Sequence, residues 1–162
     1  MKIALSTDHA GFVPLQKLQA FLEAKGHECV NFGPTQYNLA DDYPDFIKPA
    51  AQAVASGDCQ FGIIFGGSGQ GEAIAANRLQ GIRCGVYYGP AIPIGIVDAE
   101  GGLAHDEYEV LRLNRQHNDA NMLSLASRFL SQDAIEQAVT IWLATPFSGV
   151  ERHVRRINEL DQ

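Results

Sequence analysis

Phe61-Gly62-Ile63-Ile64-Phe65 is an unbroken apolar run that leads directly into Gly66-Gly67-Ser68-Gly69-Gln70-Gly71-Glu72. A strand apolar at every position is covered on both faces, which is the condition of a parallel strand with helices above and below it. A glycine-rich turn straight after such a strand falls at the carboxyl edge of the sheet, where open α/β sheets bind ligands. Four glycines in the six positions 66–71 let backbone N–H groups turn inward without Cβ obstruction, and the helix that follows adds its positive end. The stretch reads as an anion-binding turn with a carboxylate, Glu72, at its far end.

The rest of the chain repeats the alternation of strand and helix. Lys2–Ser6 is a short apolar strand, and Thr7-Asp8-His9-Ala10-Gly11 is a polar turn before the helically spaced Phe12, Leu15, Leu18, Phe21 and Leu22. Gly26 stops that helix, and His27–Phe32 reads as a second strand. A loop rich in Gly, Pro, Asn and Asp then carries Asp41-Asp42-Tyr43-Pro44, followed by a helix from about Asp45 to Ser56. After Phe61–Phe65 come a helical stretch Ala73–Leu79, a fourth strand Arg83–Tyr88, a helix Glu107–Asn114 and a fifth strand Met122–Ala126. Helices over Gln132–Ala144 and about Gly149–Leu160 close the chain. Five strands alternating with helices predict one α/β domain, 1–162, built on a parallel sheet. The segment 89–106, with Pro90, Pro93 and Gly101-Gly102, breaks the rhythm as a long loop of the kind that more often serves function than idles.

At 162 residues the chain has room for one core. Its net charge of −7 argues against a nucleic-acid binder while leaving room for an anionic small substrate, because Arg152, Arg155 and Arg156 cluster locally. No apolar run is long enough to span a bilayer, so no membrane partner is expected. Met1-Lys2-Ile3-Ala4-Leu5 enters a strand without signal-peptide features, and three cysteines with no Cys-x-x-Cys pair suit a reducing compartment; a cytoplasmic protein is expected.

Taken singly, the candidate residues have ordinary readings. Asp8 alone is a helix cap with an exposed His9 beside it. The glycine turn lacks the Lys-Ser/Thr ending of a P-loop, and a dinucleotide fingerprint begun at Gly67 needs glycine where Glu72 stands. Glu72 is a first-turn carboxylate, subject to opposing effects: the helix end favours its charge and burial opposes it. His117, in Arg115-Gln116-His117-Asn118-Asp119, ends a helix among polar neighbours. Arg152 and Arg156 stand one helical turn apart, so two guanidiniums face one way, as a phosphate dianion requires. His105 with Glu100, Asp106 and Glu109 matches no metal signature, and no metal is expected. The polar runs near Asp8, Glu72 and His117 are expected to face one crevice.

Asp8-His9-Ala10-Gly11, Asp42-Tyr43-Pro44, Gly67-Ser68-Gly69-Gln70-Gly71-Glu72 with Ile74-Ala75-Ala76-Asn77, Arg115-Gln116-His117-Asn118 and Arg152-His153 together resemble the type B ribose-5-phosphate isomerase family, which also holds galactose-6-phosphate isomerase subunits. The resemblance runs nearly end to end and is interrupted mainly at 89–106. It implies a Rossmann-like three-layer sandwich, a homodimer with sites formed between subunits and open to further assembly as a tetramer, and an aldose–ketose isomerisation through an enediolate without cofactor. It makes Glu72 the base, His117 the acid that opens the sugar ring, and the amides of Gly67, Gly69, Gln70 and Gly71 with Ser68 the stabilisers of the enediolate. Asp8, His9, Tyr43 and Asn118 become sugar contacts, and Arg128, Arg152 and Arg156 the phosphate site. One branch of that family carries a cysteine base where Gly66 stands here, so the chain resembles the glutamate branch. Ribose 5-phosphate is the expected substrate; a hexose 6-phosphate such as allose or galactose 6-phosphate, and a non-catalytic sugar-phosphate-binding module, are the alternatives.

Overall fold

The computed structural model describes residues 1–98 and 101–162; Glu100, weighed above as a metal ligand, lies outside them. Five strands, β1 (Lys2–Thr7), β2 (Glu28–Asn31), β3 (Phe61–Gly66), β4 (Cys84–Tyr87) and β5 (Met122–Ala126), form one sheet. All pair in parallel, in the order β2-β1-β3-β5-β4. Six helices join them: α1 (Phe12–Ala24), α2 (Tyr43–Ala55), α3 (Gln70–Ala76), α4 (Glu109–Asn118), α5 (Gln132–Ala144) and α6 (Glu151–Asn158).

Alternation along the strands divides the core into two layers. Ile3, Leu5, Ile63, Phe65, Leu123 and Leu125 point to one face and pack with Leu15, Leu18 and Leu22 of α1, Leu111 of α4, and Ile135, Val139 and Trp142 of α5. Ala4, Ile64 and Met122 point to the other, against Ile47, Ala50, Ala51 and Val54 of α2 and Ala75 and Ala76 of α3. With both faces covered, the central strands are apolar throughout, as the run at 61–65 demands. The result is the three-layer Rossmann-like sandwich that the sequence predicts.

Most element boundaries differ from the sequence reading by a few residues, and three of the differences have a clear local cause or consequence. α2 begins at Tyr43 rather than Asp45, because Pro44 occupies its first turn, where a missing N–H costs nothing. α3 begins at Gln70, so Glu72 belongs to the helix itself. α4 runs on to Asn118 and stops where Asp119 takes a left-handed conformation, φ 42°. The described residues of the segment 89–106 form an irregular excursion in which the Ala91 N–H donates to the Glu107 carbonyl (2.8 Å) and Ile92, Ile94, Ile96 and Leu103 stand out to solvent. Among the described residues no helix is long and apolar enough to cross a membrane.

The strand order reverses between β1 and β3, since the chain leaves β1 toward β2 and returns on the opposite side to form β3. The carboxyl ends of these two neighbours therefore open a crevice at a topological switch point. Gly11, which follows β1 there, has no room for a side chain: a Cβ would lie 2.3 Å from both the Phe65 Cβ and the Thr7 Oγ1. Gly11→Ala is expected to destabilise the protein by about 1–3 kcal/mol through overpacking, read as a lower urea midpoint at unchanged m-value.

Candidate active site

The crevice is assembled from the ends of β1, β3, β4 and β5. Thr7 ends β1 buried, with its Oγ1 donating to the Phe65 carbonyl of β3 (3.2 Å). Asp8 follows, 7% exposed, and its Oδ1 accepts from the Ala10 N–H (2.9 Å), which is the capping role the residue has when read alone. Past β5, the Ser127 and Arg128 amides donate to the Gly66 and Gly67 carbonyls at 2.9 and 3.2 Å. The Ser127 hydroxyl lies within hydrogen-bond distance of the Ala10 and Gly66 carbonyls, 2.9 and 2.8 Å, and so ties the first turn to the third.

Within the glycine turn, each glycine makes room for a particular neighbour. Gly69 takes φ 74°, a left-handed conformation that opens α3, and its carbonyl accepts from the Ser124 hydroxyl (2.7 Å). A Cβ on Gly71 would meet the Tyr43 ring at 2.9 Å, and one on Gly67 would meet the Arg128 guanidinium at 3.1 Å. The closest fit is at Gly66, where a Cβ would stand 2.0 Å from both Cδ and Oε2 of Glu72. The Glu72 carboxylate thus fills the space that a side chain at position 66 would need.

Glu72 is 5% exposed. Burial pushes its carboxyl above the ordinary glutamate value and the charge of Asp8 adds to that, while its own backbone N–H and His9 pull the other way. A carboxylate raised in this way is a better proton acceptor than a solvated one.

The expected single crevice is only partly present. Asp8, His9, Tyr43, Gly67, Ser68, Gly69, Gln70, Gly71, Glu72 and Arg128 come together at the carboxyl edge. His117, Asn118, Arg152 and Arg156 do not join them. α4 runs back against the strand direction, so its last turn lies where the strands begin: the Arg83 Nε, just before β4, donates to the Asn118 carbonyl at 2.9 Å. There His117 stacks on His153, with ring centroids 4.3 Å apart and planes 14° from parallel. Both line an open recess of about 280 Å³ with Ile96, Val97, Arg152 and Arg156. One chain therefore carries two separate clusters, a buried carboxylate with its glycine turn at one edge and a histidine with two arginines at the other.

Two neighbours of the first half-site were not singled out from the sequence. Tyr88, just past β4, hydrogen-bonds through its hydroxyl to the Gln70 amide and packs edge-on against Phe129, centroids 5.8 Å apart. Asp41 accepts from the ring of His9, Nδ1 to Oδ1 2.6 Å. In a loop of turn-forming residues an aspartate carries no distinguishing signal. Asp8, His9 and Asp41 each offer one ligand atom within 4.8 Å of the others. Two donors on one tetrahedral zinc stand about 3.3 Å apart, so the shorter His9–Asp41 contact marks a shared proton rather than a shared ion.

A buried, poorly solvated carboxylate beside a glycine turn at the switch point of a parallel sheet defines an α/β protein built to move protons on a small anionic molecule. Comparison with known proteins narrows that class. The profile described as Ribose/Galactose Isomerase matches residues 3–92 and 96–160. Ribose-5-phosphate isomerase B of Mycolicibacterium paratuberculosis is 34% identical over 160 residues, covering 99% of this chain and 89% of that protein. Its counterpart in Escherichia coli is 33% identical, covering 98% and 93%. Among solved structures, Clostridium thermocellum ribose-5-phosphate isomerase B superposes with a TM-score of 0.84 at 35% identity, over 99% of this chain and 95% of that one. The Mycoplasma genitalium enzyme with bound ribulose 5-phosphate gives 0.82 at 29%, over 98% and 93%. The chain belongs to the ribose/galactose isomerase family. The profile leaves out only residues 93–95 of the irregular segment, a narrower gap than the sequence suggested.

Gly66→Ala is expected to push the Glu72 carboxylate out of its seat and lower isomerase kcat/KM at least about 100-fold, with the fold retained by circular dichroism. Glu72 is also expected to limit stability. Below the ordinary glutamate range both folded and unfolded chains bind the proton; as pH rises through the raised folded value, the wild type loses stability that Glu72→Gln keeps. Thermal melts of the two proteins should coincide near about pH 4 and diverge, with the variant melting higher, toward about pH 8.

Proposed function

We propose that the protein interconverts ribose 5-phosphate and ribulose 5-phosphate through an enediolate, with Glu72 as the base. The observation that carries this reading is the buried Glu72 carboxylate, seated in the space left by Gly66 and raised in basicity beside Asp8 and His9. Glu72 takes the proton from C2 of the open aldose; the C2–H electron pair forms the C1–C2 double bond, and the C1 carbonyl becomes an oxyanion. Glu72 then returns its proton to C1 while the proton of the O2 hydroxyl passes to O1, leaving the ketone at C2 and a hydroxyl at C1. C1 is reduced as C2 is oxidised, so the step balances within one molecule.

Negative charge grows on O1 and O2, where the amides of Gly67, Gly69, Gln70 and Gly71 and the Ser68 hydroxyl act as donors, each worth about 3–4 kcal/mol when well aimed. Asp8 and His9 contact the sugar. Tyr43 packs against Gly71 and holds the turn against the substrate. Arg128 contributes to the phosphate site from beside Gly67.

The remaining functions come from a second copy of the chain. His117 of that copy opens the sugar ring, Asn118 holds the sugar, and Arg152 and Arg156 complete the phosphate site. The division of one chain into half-sites at opposite edges of its sheet supports this homodimer. Ile74, 62% exposed on α3 beside the glycine turn, gives it apolar surface to bury. Three free cysteines accord with a cytoplasmic location.

A panel of ribose 5-phosphate, allose 6-phosphate and galactose 6-phosphate decides the substrate. Ribose 5-phosphate should turn over fastest, and no turnover of any would overturn the enzyme reading. Glu72→Gln and His117→Asn should each abolish activity. Mixed and allowed to exchange subunits, the two variants should recover about one quarter of wild-type activity, because half of the dimers carry one intact site of two. Absence of recovery after proven exchange would sink the shared site.

A further inference from the structure

The role of Asp41 is not explained by any step above. Its side chain is 6% exposed, and it sits in the loop between β2 and α2. Oδ1 accepts twice from one residue, from the His9 backbone N–H at 3.2 Å and from the His9 ring Nδ1 at 2.6 Å. Oδ2 is buried and has no hydrogen-bond partner among the described residues. Leaving a carboxylate oxygen unpaired is costly, so the residue is held there for what its other oxygen does.

The second carboxylate near His9 does not share that task. Asp8 is turned to cap Ala10, and its Oδ2 stands 3.7 Å from the ring Nδ1, beyond a hydrogen bond. The same loop that carries Asp41 also sends Tyr37 edge-on to the imidazole, centroids 6.4 Å apart and planes 88°. One loop thus holds His9 by a hydrogen bond and by a ring contact.

An oxygen already accepting from a backbone N–H is an acceptor toward the ring as well. The proton of the pair therefore sits on Nδ1, and Nε2 is the ring nitrogen left for a ligand. His9 follows the carboxyl end of β1, beside the end of β3 that carries the glycine turn and Glu72, so the ring belongs to the same crevice.

We propose that Asp41 is a positioning residue: it fixes the tautomer and angle of the His9 imidazole so that Nε2 meets the sugar phosphate beside Glu72. The proposal rests on the reading that this crevice binds sugar phosphate. It adds a residue whose effect passes entirely through another, much as a carboxylate behind a metal-bound histidine sets the orientation of that ligand.

A double-mutant cycle tests it with Asp41→Asn, His9→Gln and the combination, assayed on ribose 5-phosphate. Asp41→Asn should lower kcat/KM about 10–100-fold with the melting temperature nearly unchanged. In the His9→Gln background the same change should cost less than about 3-fold, since the residue through which Asp41 acts is gone. Equal losses in both backgrounds would show that Asp41 merely supports the loop, and no loss in either would show that it does nothing for the site; both overturn the proposal. Nitrogen NMR of labelled histidine gives a readout without turnover: His9 should be held as the Nδ1–H form in the wild type and become a mixture in Asp41→Asn, and an unchanged tautomer overturns the proposal. Should the wild type turn over no sugar phosphate, the substrate reading fails, while the NMR result still tests whether Asp41 sets the His9 ring.

Discussion

The site depends on an exclusion between two positions six residues apart. Glu72 places its carboxyl where a Cβ on Gly66 would stand, so the carboxylate is seated by the absence of a side chain rather than by a dedicated pocket. Its burial follows from that seat, and its raised basicity follows from the burial. Both positions belong to segments fixed by the core, Gly66 as the last residue of a central strand and Glu72 in the first turn of a helix packed on the sheet. A carboxylate held in this way is positioned by the packing of the whole domain.

The strand order makes the arrangement possible. β1 and β3 are neighbours whose crossovers depart in opposite directions, so their carboxyl ends leave a gap that no helix fills. Ser127, arriving on β5, then bridges the turns after β1 and β3. Three segments far apart in sequence are tied through one hydroxyl, and the glycine turn between them keeps its shape with few side chains of its own.

Most of the fold could be read from periodicity. The apolar run at 61–65 implies the parallel sheet, and the regular apolar spacing over 132–144 matches α5 to the residue, with Ser131 as the cap the structure adds. Boundaries differ where local rules compete: Pro44 reads as the end of the loop and is instead a helix-opening residue, and α4 continues through a polar stretch until Asp119 turns left-handed. In the site, glycine spacing points to Glu72 and its turn because conformational freedom leaves a mark in composition. The separation of His117 from Glu72 left no such mark, since it comes from the direction in which α4 runs. Asp41 was equally silent: its partner is 32 residues away, and only the folded loop brings them together.

Placing the histidine and paired arginines at the end of the sheet opposite the base has a consequence for a newly made chain. Each polypeptide, however well folded, holds the Glu72 carboxylate at one edge of its sheet and the His117, Arg152 and Arg156 cluster at the other, never both at one point in space. With the shared site proposed above, catalytic power is a property of the assembled pair and rises with the square of subunit concentration when the chain is dilute. Quaternary structure then does for this protein what a propeptide does for others, keeping the solitary chain inert.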